Sequence, residues 1–149
     1  MIAISNKQRG KSEVFRYLKK NSDVFVPPIE EKIDIREFSE KIVKFATQFW
    51  LVDSEKDEVI GFLACYLNDE RKKTAYITTV SITKKYQEKG LGFLLLEDCI
   101  QLAEDKNFEV MKLEVSKINL KAIKFYEKLD FEIHDCSFLS YFMIKKLSF

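Results

Sequence analysis

The sequence contains little glycine, proline, cysteine or histidine, with 4 Gly, 2 Pro, 3 Cys and 1 His in 149 residues. The cysteines, Cys65, Cys99 and Cys136, lie far apart and form neither a CxxC pair nor a Cys/His spacing typical of zinc sites. We therefore expect buried, reduced thiols and no metal site. Because glycine is so scarce, each glycine is expected where the backbone requires it.

Long apolar runs and an excess of charge are also missing. No stretch approaches the roughly 18 apolar residues of a membrane-spanning helix, and residues 1–9 lack the apolar run of a signal peptide. These absences predict a cytoplasmic protein that does not bind membranes. With 25 basic and 24 acidic residues the net charge is +1, which disfavours a broad nucleic-acid-binding face.

What is present predicts one globular domain over residues 1–149. The hydrophobic fraction of 46% is too high for a disordered chain, and the length is that of one ordinary domain. Near the N-terminus, residues 8–20 carry Val14, Tyr17 and Leu18 at helical spacing. Asp34 has the position of a helix N-cap, and the helix that follows is expected to bury Ile35, Phe38, Ile42 and Phe45.

The rest of the chain predicts strands and then βαβ units. Strands are expected at 48–53, 59–67, 74–82, 110–115, 131–136 and 138–145. A helix over 91–106 has Leu91, Leu94, Leu95, Cys99, Leu102 and Ala103 on one face, and another begins at Asn119. This order predicts an α/β fold with a mixed, mostly antiparallel twisted sheet of about six to seven strands and helices on both faces.

One segment is suited to binding an anion. Gln87-Glu88-Lys89-Gly90-Leu91-Gly92 lies between a predicted strand and a predicted helix. Two glycines at such a turn let backbone N–H groups approach a phosphate closely, and the helix N-terminus adds partial positive charge. A tight turn that merely requires glycine is the alternative. A Rossmann fingerprint is excluded because position 95 is Leu, and a Walker A loop because Gly-Lys-Ser/Thr is absent.

The loop resembles the Arg/Gln-x-x-Gly-x-Gly/Ala motif of the GCN5-related N-acetyltransferase (GNAT) superfamily. Val80, Ser81 and Ile82 are similar to the strand end that pairs with the pantetheine arm in that family. Farther on, Asn119 to Tyr126 is similar to the Asn-x-x-Ala-x-x-x-Tyr segment of the family. The resemblance covers residues 59–135 well and the first 50 residues loosely.

The resemblance implies an acetyl-CoA-dependent N-acetyltransferase without a metal. It implies that the donor contacts Val80, Ser81, Ile82, Gln87, Glu88, Lys89, Gly90, Leu91, Gly92, Asn119 and Tyr126. Tyr126 is the expected general acid, because a phenol is protonated at neutral pH and can donate to the departing thiolate. A core tyrosine that packs on the sheet is the alternative. Asn119 is expected to cap its helix and to leave its amide N–H₂ free for the donor.

Three residues depart from the usual family pattern. Gln87 replaces the common Arg, and Lys84 stands where Pro is frequent, so both could weaken donor binding. Asp130 stands where Gly is usual, and we expect it to adopt a left-handed turn conformation. None of the three removes the proposed site.

The general base is not identified by the sequence. Many family members place a Glu near the end of the third strand, where this chain has Thr78 and Thr79. Glu114, His134 and Asp135 are the candidates, and each has a surface position as its alternative. No Ser or Cys has an evident His base beside it, which favours direct attack over an acyl-enzyme.

The expected acceptor is the amine of a small molecule, with an amino sugar as one example. Acetylation of a protein or peptide is one alternative, and a non-catalytic CoA-binding regulatory domain is another. The first two helices and the loop from Val24 to Ile29 are expected to form the acceptor side. A homodimer, common in the family, is a further expectation.

Overall fold

The computed structural model describes residues 1–148, which form a seven-stranded sheet and five helices. The strands are β1 (Ile2–Ser5), β2 (Thr47–Asp53), β3 (Glu58–Tyr66), β4 (Thr74–Ile82), β5 (Val110–Ser116), β6 (Glu132–Cys136) and β7 (Ser140–Lys146). The helices are α1 (Lys11–Lys20), α2 (Ile29–Lys32), α3 (Ile35–Phe45), α4 (Leu91–Asp105) and α5 (Leu120–Lys128).

The strand order across the sheet is β1-β2-β3-β4-β5-β7-β6. All neighbours pair antiparallel except β4 and β5, which pair in parallel through the crossover helix α4. The mixed, mostly antiparallel α/β fold expected from the sequence is therefore confirmed.

Helices cover both faces of the sheet. On one face, α1 and α3 contribute Val14, Leu18 and Ile42 to a cluster that includes Trp50 and Phe62. The rings of Trp50 and Phe62 stack with centroids 4.0 Å apart. On the other face, the buried residues of α4 and α5 pack on Ile60, Leu63 and Cys65 of β3 and on β5. Covering both faces explains why β3 is apolar at almost every position.

Several local expectations are confirmed in detail. Asp34 caps α3, because its carboxylate accepts hydrogen bonds from the backbone N–H groups of Arg36 and Glu37. Asn119 caps α5 through the N–H of Ala122. Asp130 adopts the left-handed conformation with φ of 68°. Each of these residues satisfies a local rule that does not depend on the rest of the fold.

Other expectations were wrong. The short edge strand β1 was not predicted, because four residues show too little periodicity. Phe45 and Leu94 are 54% and 40% exposed, although helical spacing placed them on buried faces. Cys136 is also exposed, because β6 is the outermost strand and is covered on neither side. Cys65 and Cys99 are buried as expected.

No helix within residues 1–148 is long and apolar enough to cross a membrane. Within the same residues, no group of three or more His, Cys, Asp or Glu side chains is arranged to hold a metal ion.

Candidate active site

The central strands β4 and β5 separate near the middle of the sheet. Their parallel pairing runs only from Thr74 opposite Val110 to Ile77 opposite Leu113. Beyond that point β4 remains paired with β3 and β5 with β7. The facing edges of the two strands therefore open into a gap whose backbone groups have no strand partner.

A β-bulge at Thr78 reorients the end of β4. The register with β3 shifts there, with Ala64 opposite Thr79 and Cys65 opposite Ile77. Before the bulge, Ala75 and Ile77 face α4, and after it Val80 packs on that side instead. Because of the bulge, Thr79 and Ser81 lie on the side of the sheet that α1 covers, opposite to the side on which Ala75 and Ile77 lie.

The gap leads into a cavity of about 370 Å³. Its walls come from the loop and helices 24–38, from the bulged part of β4, from the free end of β5 and from α5. The side chains at the α5 wall are Asn119, Ala122 and Tyr126. The wall of residues 24–38 consists of Val24, Phe25, Val26, Pro27, Ile29, Lys32, Ile33 and Phe38.

The segment 87–92 forms the turn before α4, and it has the geometry of an anion cradle. Glu88 and Gly90 have positive φ angles of 64° and 75°, and Gly90 is the N-cap of α4. Among residues 1–148, no backbone N–H from Glu88 to Gly92 donates a turn, loop or cap hydrogen bond. These amides are therefore free to donate to an anionic ligand at the helix N-terminus.

Side chains hold this loop in place. Gln87 Nε2 donates to the Ile82 carbonyl over 3.0 Å, which ties the loop to the end of β4. Glu88 pairs with Lys121 of α5, with Oε1 and Nζ 3.1 Å apart. A Cβ added to Gly92 would lie 3.4 Å from the Phe125 ring, so glycine allows α4 and α5 to approach closely here.

Tyr126 lies two turns after Asn119 on α5, and both side chains line the cavity. The Tyr126 side chain is buried, and this burial raises the pKa of its phenol well above the usual value. The phenol is therefore protonated at neutral pH, at a place where a ligand in the gap would meet it.

The structure brings further polar side chains to the cavity, of which the sequence had assigned a possible role only to Glu114. Thr79 lines the cavity, and its buried hydroxyl has no hydrogen-bond partner within the described residues. Tyr76 and Glu114 line the cavity as well. Burial, and then the negative charge of Glu114, raise the pKa of Tyr76. The bulge interrupts the alternation of the two faces along β4, so sequence patterns could not predict which of its residues face the cavity.

The three candidates for the general base are now separated. Glu114 lines the cavity. His134 and Asp135 lie on the exposed outer strand β6, and neither contributes to the cavity wall.

Most of the expected donor-binding residues lie at the cavity or in the 87–92 loop, and the side chains of Ser81 and Ile82 pack elsewhere. Val80, Asn119 and Tyr126 line the cavity, and the loop from Gln87 to Gly92 lies at the start of α4. Ser81 instead packs against Tyr17, with 3.0 Å between the two hydroxyl oxygens. Ile82 packs with the α4 cluster, and its carbonyl accepts the hydrogen bond from Gln87 of the loop.

Comparison with known proteins identifies relatives of the same fold. Residues 15–131 match the model described as Acetyltransferase (GNAT) family. Probable N-acetyltransferase san of Drosophila melanogaster is 37% identical over 81 residues, which are 53% of this chain and 44% of that protein's length. The chain therefore spans less than half of that curated relative.

Two solved structures support the fold. The ribosomal-protein-S18-alanine N-acetyltransferase of Escherichia coli superimposes with a TM-score of 0.80 at 21% identity, covering 100% of this chain and 96% of that one. A candidate streptothricin acetyltransferase of Bacillus anthracis str. Ames, solved with acetyl coenzyme A, gives a TM-score of 0.62 at 24% identity, covering 70% of this chain and 64% of that one. Because the family model matches residues 15–131, which are most of the chain, the chain belongs to the acetyltransferase (GNAT) family.

Proposed function

We propose that the protein is an N-acetyltransferase that moves the acetyl group of acetyl-CoA to a primary amine. One observation carries the proposal. A buried, protonated phenol, Tyr126, and a carboxylate, Glu114, line one cavity at the gap between β4 and β5, and the 87–92 loop with its free amides is tied to the end of β4 through Gln87. That set of groups fits an amine acceptor together with a thioester donor that carries a pyrophosphate.

The donor would bind along the gap. Backbone N–H groups from Glu88 to Gly92 would hold the pyrophosphate, helped by the N-terminal end of the α4 dipole. The unpaired edge of β4 around Val80 would hydrogen-bond the amides of the pantetheine arm as an added strand does. The side chain of Gln87 already donates to Ile82, so its main contribution here is to position the loop.

The chemistry would proceed by direct attack. The neutral amine nitrogen attacks the thioester carbonyl carbon, and a backbone N–H near Val80 stabilises the resulting oxyanion. The carbon–sulfur bond then breaks, and the thiolate takes the proton of the Tyr126 phenol. The nitrogen loses one proton to a base, and the Tyr126 phenolate regains a proton from solvent, which leaves an amide, free CoA and the neutral phenol.

Glu114 is the base that the cavity supports. It is a lining residue with a carboxylate, and within residues 1–148 it forms no ion pair. His134 and Asp135 would need a relay from the outer strand β6. The unpartnered Thr79 hydroxyl offers a hydrogen-bond partner to the amine or to a water between the amine and the carboxylate.

One wall of the cavity, on the expected acceptor side, carries apolar side chains. Phe25, Val26, Pro27 and Ile29 line it, and these side chains cannot hydrogen-bond the hydroxyls of an amino sugar. The wall therefore favours an amine beside an apolar side chain, as at a peptide N-terminus, over the amino sugar expected from the sequence. The E. coli neighbour is named for an alanine of a ribosomal protein and the Bacillus neighbour for streptothricin, so relatives alone do not choose between these acceptors.

The test has two stages. Calorimetric titration of acetyl-CoA into the protein is expected to give a micromolar Kd. Release of free CoA thiol is then followed with peptides that begin with apolar residues, with the same peptides blocked at the amine, and with amino sugars. Turnover of only the unblocked peptides is the expected result. Binding without turnover of any amine would favour a regulatory CoA-binding domain, and absence of binding would overturn the proposal.

A further inference from the structure

A strongly basic groove runs along the outer side of α1 and the start of α3. It has a volume of about 590 Å³. Apart from Ser12 and Phe15, all of its lining residues are cationic: Lys11, Arg16, Lys19, Lys20 and Arg36. In a chain whose net charge is only +1, this is a marked local concentration of positive charge.

The basic groove continues towards the acceptor end of the cavity. A second groove lies between them and shares Phe15, Lys19 and Arg36 with the basic groove. At its other end it shares Ile33 with the cavity. The three depressions are therefore neighbours on the surface and form a series from the cavity to the cationic side chains.

Two acidic residues, Glu30 and Asp34, line the second groove, and each has a partner within the protein. Glu30 pairs with Lys19, with Oε1 and Nζ 3.1 Å apart. Asp34 accepts two backbone N–H groups as the cap of α3. The residues that line the two grooves thus include five cations against these two carboxylates, which leaves an excess of positive charge.

Four cations along the series have no ion-pair partner within residues 1–148: Lys32, Arg16, Lys20 and Arg36. Lys32 lines the cavity itself. The Arg36 guanidinium lies over the Phe15 ring, 5.9 Å from its centroid, which limits the conformations of its side chain before any ligand arrives. Unpaired cations lining a groove attract an anionic partner and raise its rate of association.

We infer that the acceptor is a polypeptide whose N-terminal amine enters the cavity and whose following acidic residues lie in the basic groove. Lys32 would meet the first acidic residue, and Arg36, Arg16 and Lys20 the later ones. The inference rests on the proposed function. A polypeptide is favoured over a nucleic acid because, under the proposed function, the series of grooves begins at a cavity that accepts an amine and has one wall of apolar side chains. An extended chain, which advances about 3.3 Å per residue, can pass from the cavity across the second groove to the basic groove.

The experiment compares peptides that share their first two residues and differ farther on. Acidic residues are placed in a scan from the third to about the ninth position, with matched serine and lysine series. The acidic series is expected to have a kcat/KM about fivefold to tenfold above the serine series, mainly through KM, as several exposed ion pairs would provide. The advantage should disappear at high salt because exposed charges are screened there.

Charge reversal locates the effect. The double variant Arg16→Glu, Lys20→Glu is expected to lose the preference for acidic peptides and to keep its turnover of serine peptides. The control variant Lys106→Glu, Lys128→Glu has the same change in charge at exposed residues that line neither the cavity nor the grooves, and it should retain the preference. Fluorescence anisotropy of a labelled acidic peptide gives a second readout that does not require turnover.

The outcomes separate the two proposals. Turnover of peptides with equal kcat/KM for all three series would overturn the inference and leave the proposed function standing. Equal turnover of a small apolar amine such as leucinamide would do the same. Tighter binding of a single-stranded RNA than of the acidic peptide, lost in the double variant, would assign the groove to nucleic acid and also overturn the inference. Turnover of no amine at all, with acidic peptide still bound through Arg16 and Lys20, would overturn the proposed function instead.

Discussion

The hydroxyl of Tyr17 in α1 lies 3.0 Å from the Ser81 hydroxyl and 3.3 Å from the Ser81 carbonyl oxygen in β4. Tyr17 is buried, and its ring meets Trp50 and Phe62 edge-on. Ser81 follows directly after Val80, which lines the cavity. This contact therefore fixes the helix that carries the basic groove to the strand that forms the reacting centre.

The first prediction concerns stability at alkaline pH. Burial raises the pKa of Tyr17 to about 12, and the reference value of an exposed tyrosine is about 10. Because the folded-state pKa is raised, the contribution is complete below about pH 10 and is lost as the pH rises through 12. The free energy of unfolding should fall by about 2–3 kcal/mol from this residue over that window.

The measurement is urea unfolding at a series of pH values. Tyr17→Phe is expected to make the loss of stability above pH 10 smaller, and Tyr141→Phe, at a half-buried position in β7, serves as the control. Part of the loss should persist in Tyr17→Phe, because burial also raises the pKa of Tyr126. An unchanged alkaline slope in Tyr17→Phe would contradict the prediction.

Tyr126→Phe should lower kcat by about 100-fold, the usual contribution of a general acid. The change removes only the hydroxyl from a buried ring, so the Kd of acetyl-CoA should stay within about twofold of the original. Steady-state kinetics and calorimetry with acetyl-CoA check the two parts. If kcat is unchanged while the chemical step limits the rate, Tyr126 does not donate the proton.

Glu114→Gln should lower kcat/KM for the amine by about 100-fold near neutral pH. Part of this loss should be recovered as the pH rises, because more of the amine is then neutral without help from a base. The pH dependence of kcat/KM is the measurement. His134→Gln, on the exposed strand β6, is the matched control and should have the original profile. A loss in His134→Gln equal to that in Glu114→Gln would reassign the base.

Gly90→Ala tests the loop through its backbone. Gly90 has a φ of 75°, and an added Cβ would meet no atom within 4 Å, so the substitution acts only through conformational strain of about 1–2 kcal/mol. We expect the Kd of acetyl-CoA to rise about tenfold. Gly10→Ala is the control, since Gly10 is also unobstructed but has an extended backbone with φ of −78°. Equal donor binding by both variants would show that the left-handed turn is not needed.

Much of the fold follows from local patterns. The strand-forming residues of β3 and β4, the cap at Asp34 and the glycine-containing turn before α4 each predicted an element that the structure contains. β1 did not follow from sequence patterns, because an isolated four-residue segment becomes a strand only by pairing with β2. The exposed positions of Phe45 and Leu94 also depend on where neighbouring elements end, which helical spacing does not report.

By itself the sequence determined the class of the protein. The segment 87–92 and the residues from Asn119 to Tyr126 lie in fixed local conformations, a helix N-terminus and one face of a helix, so the resemblance that they carry could be recognised from the sequence, and the donor-binding roles that it implies stay predictions. Only the tertiary structure showed which of the candidate bases lines the cavity and which residues form its walls. Glu114, Thr79 and Lys32 come from separate elements and meet because β4 bulges and parts from β5. That placement is long-range packing, to which no local sequence rule applies.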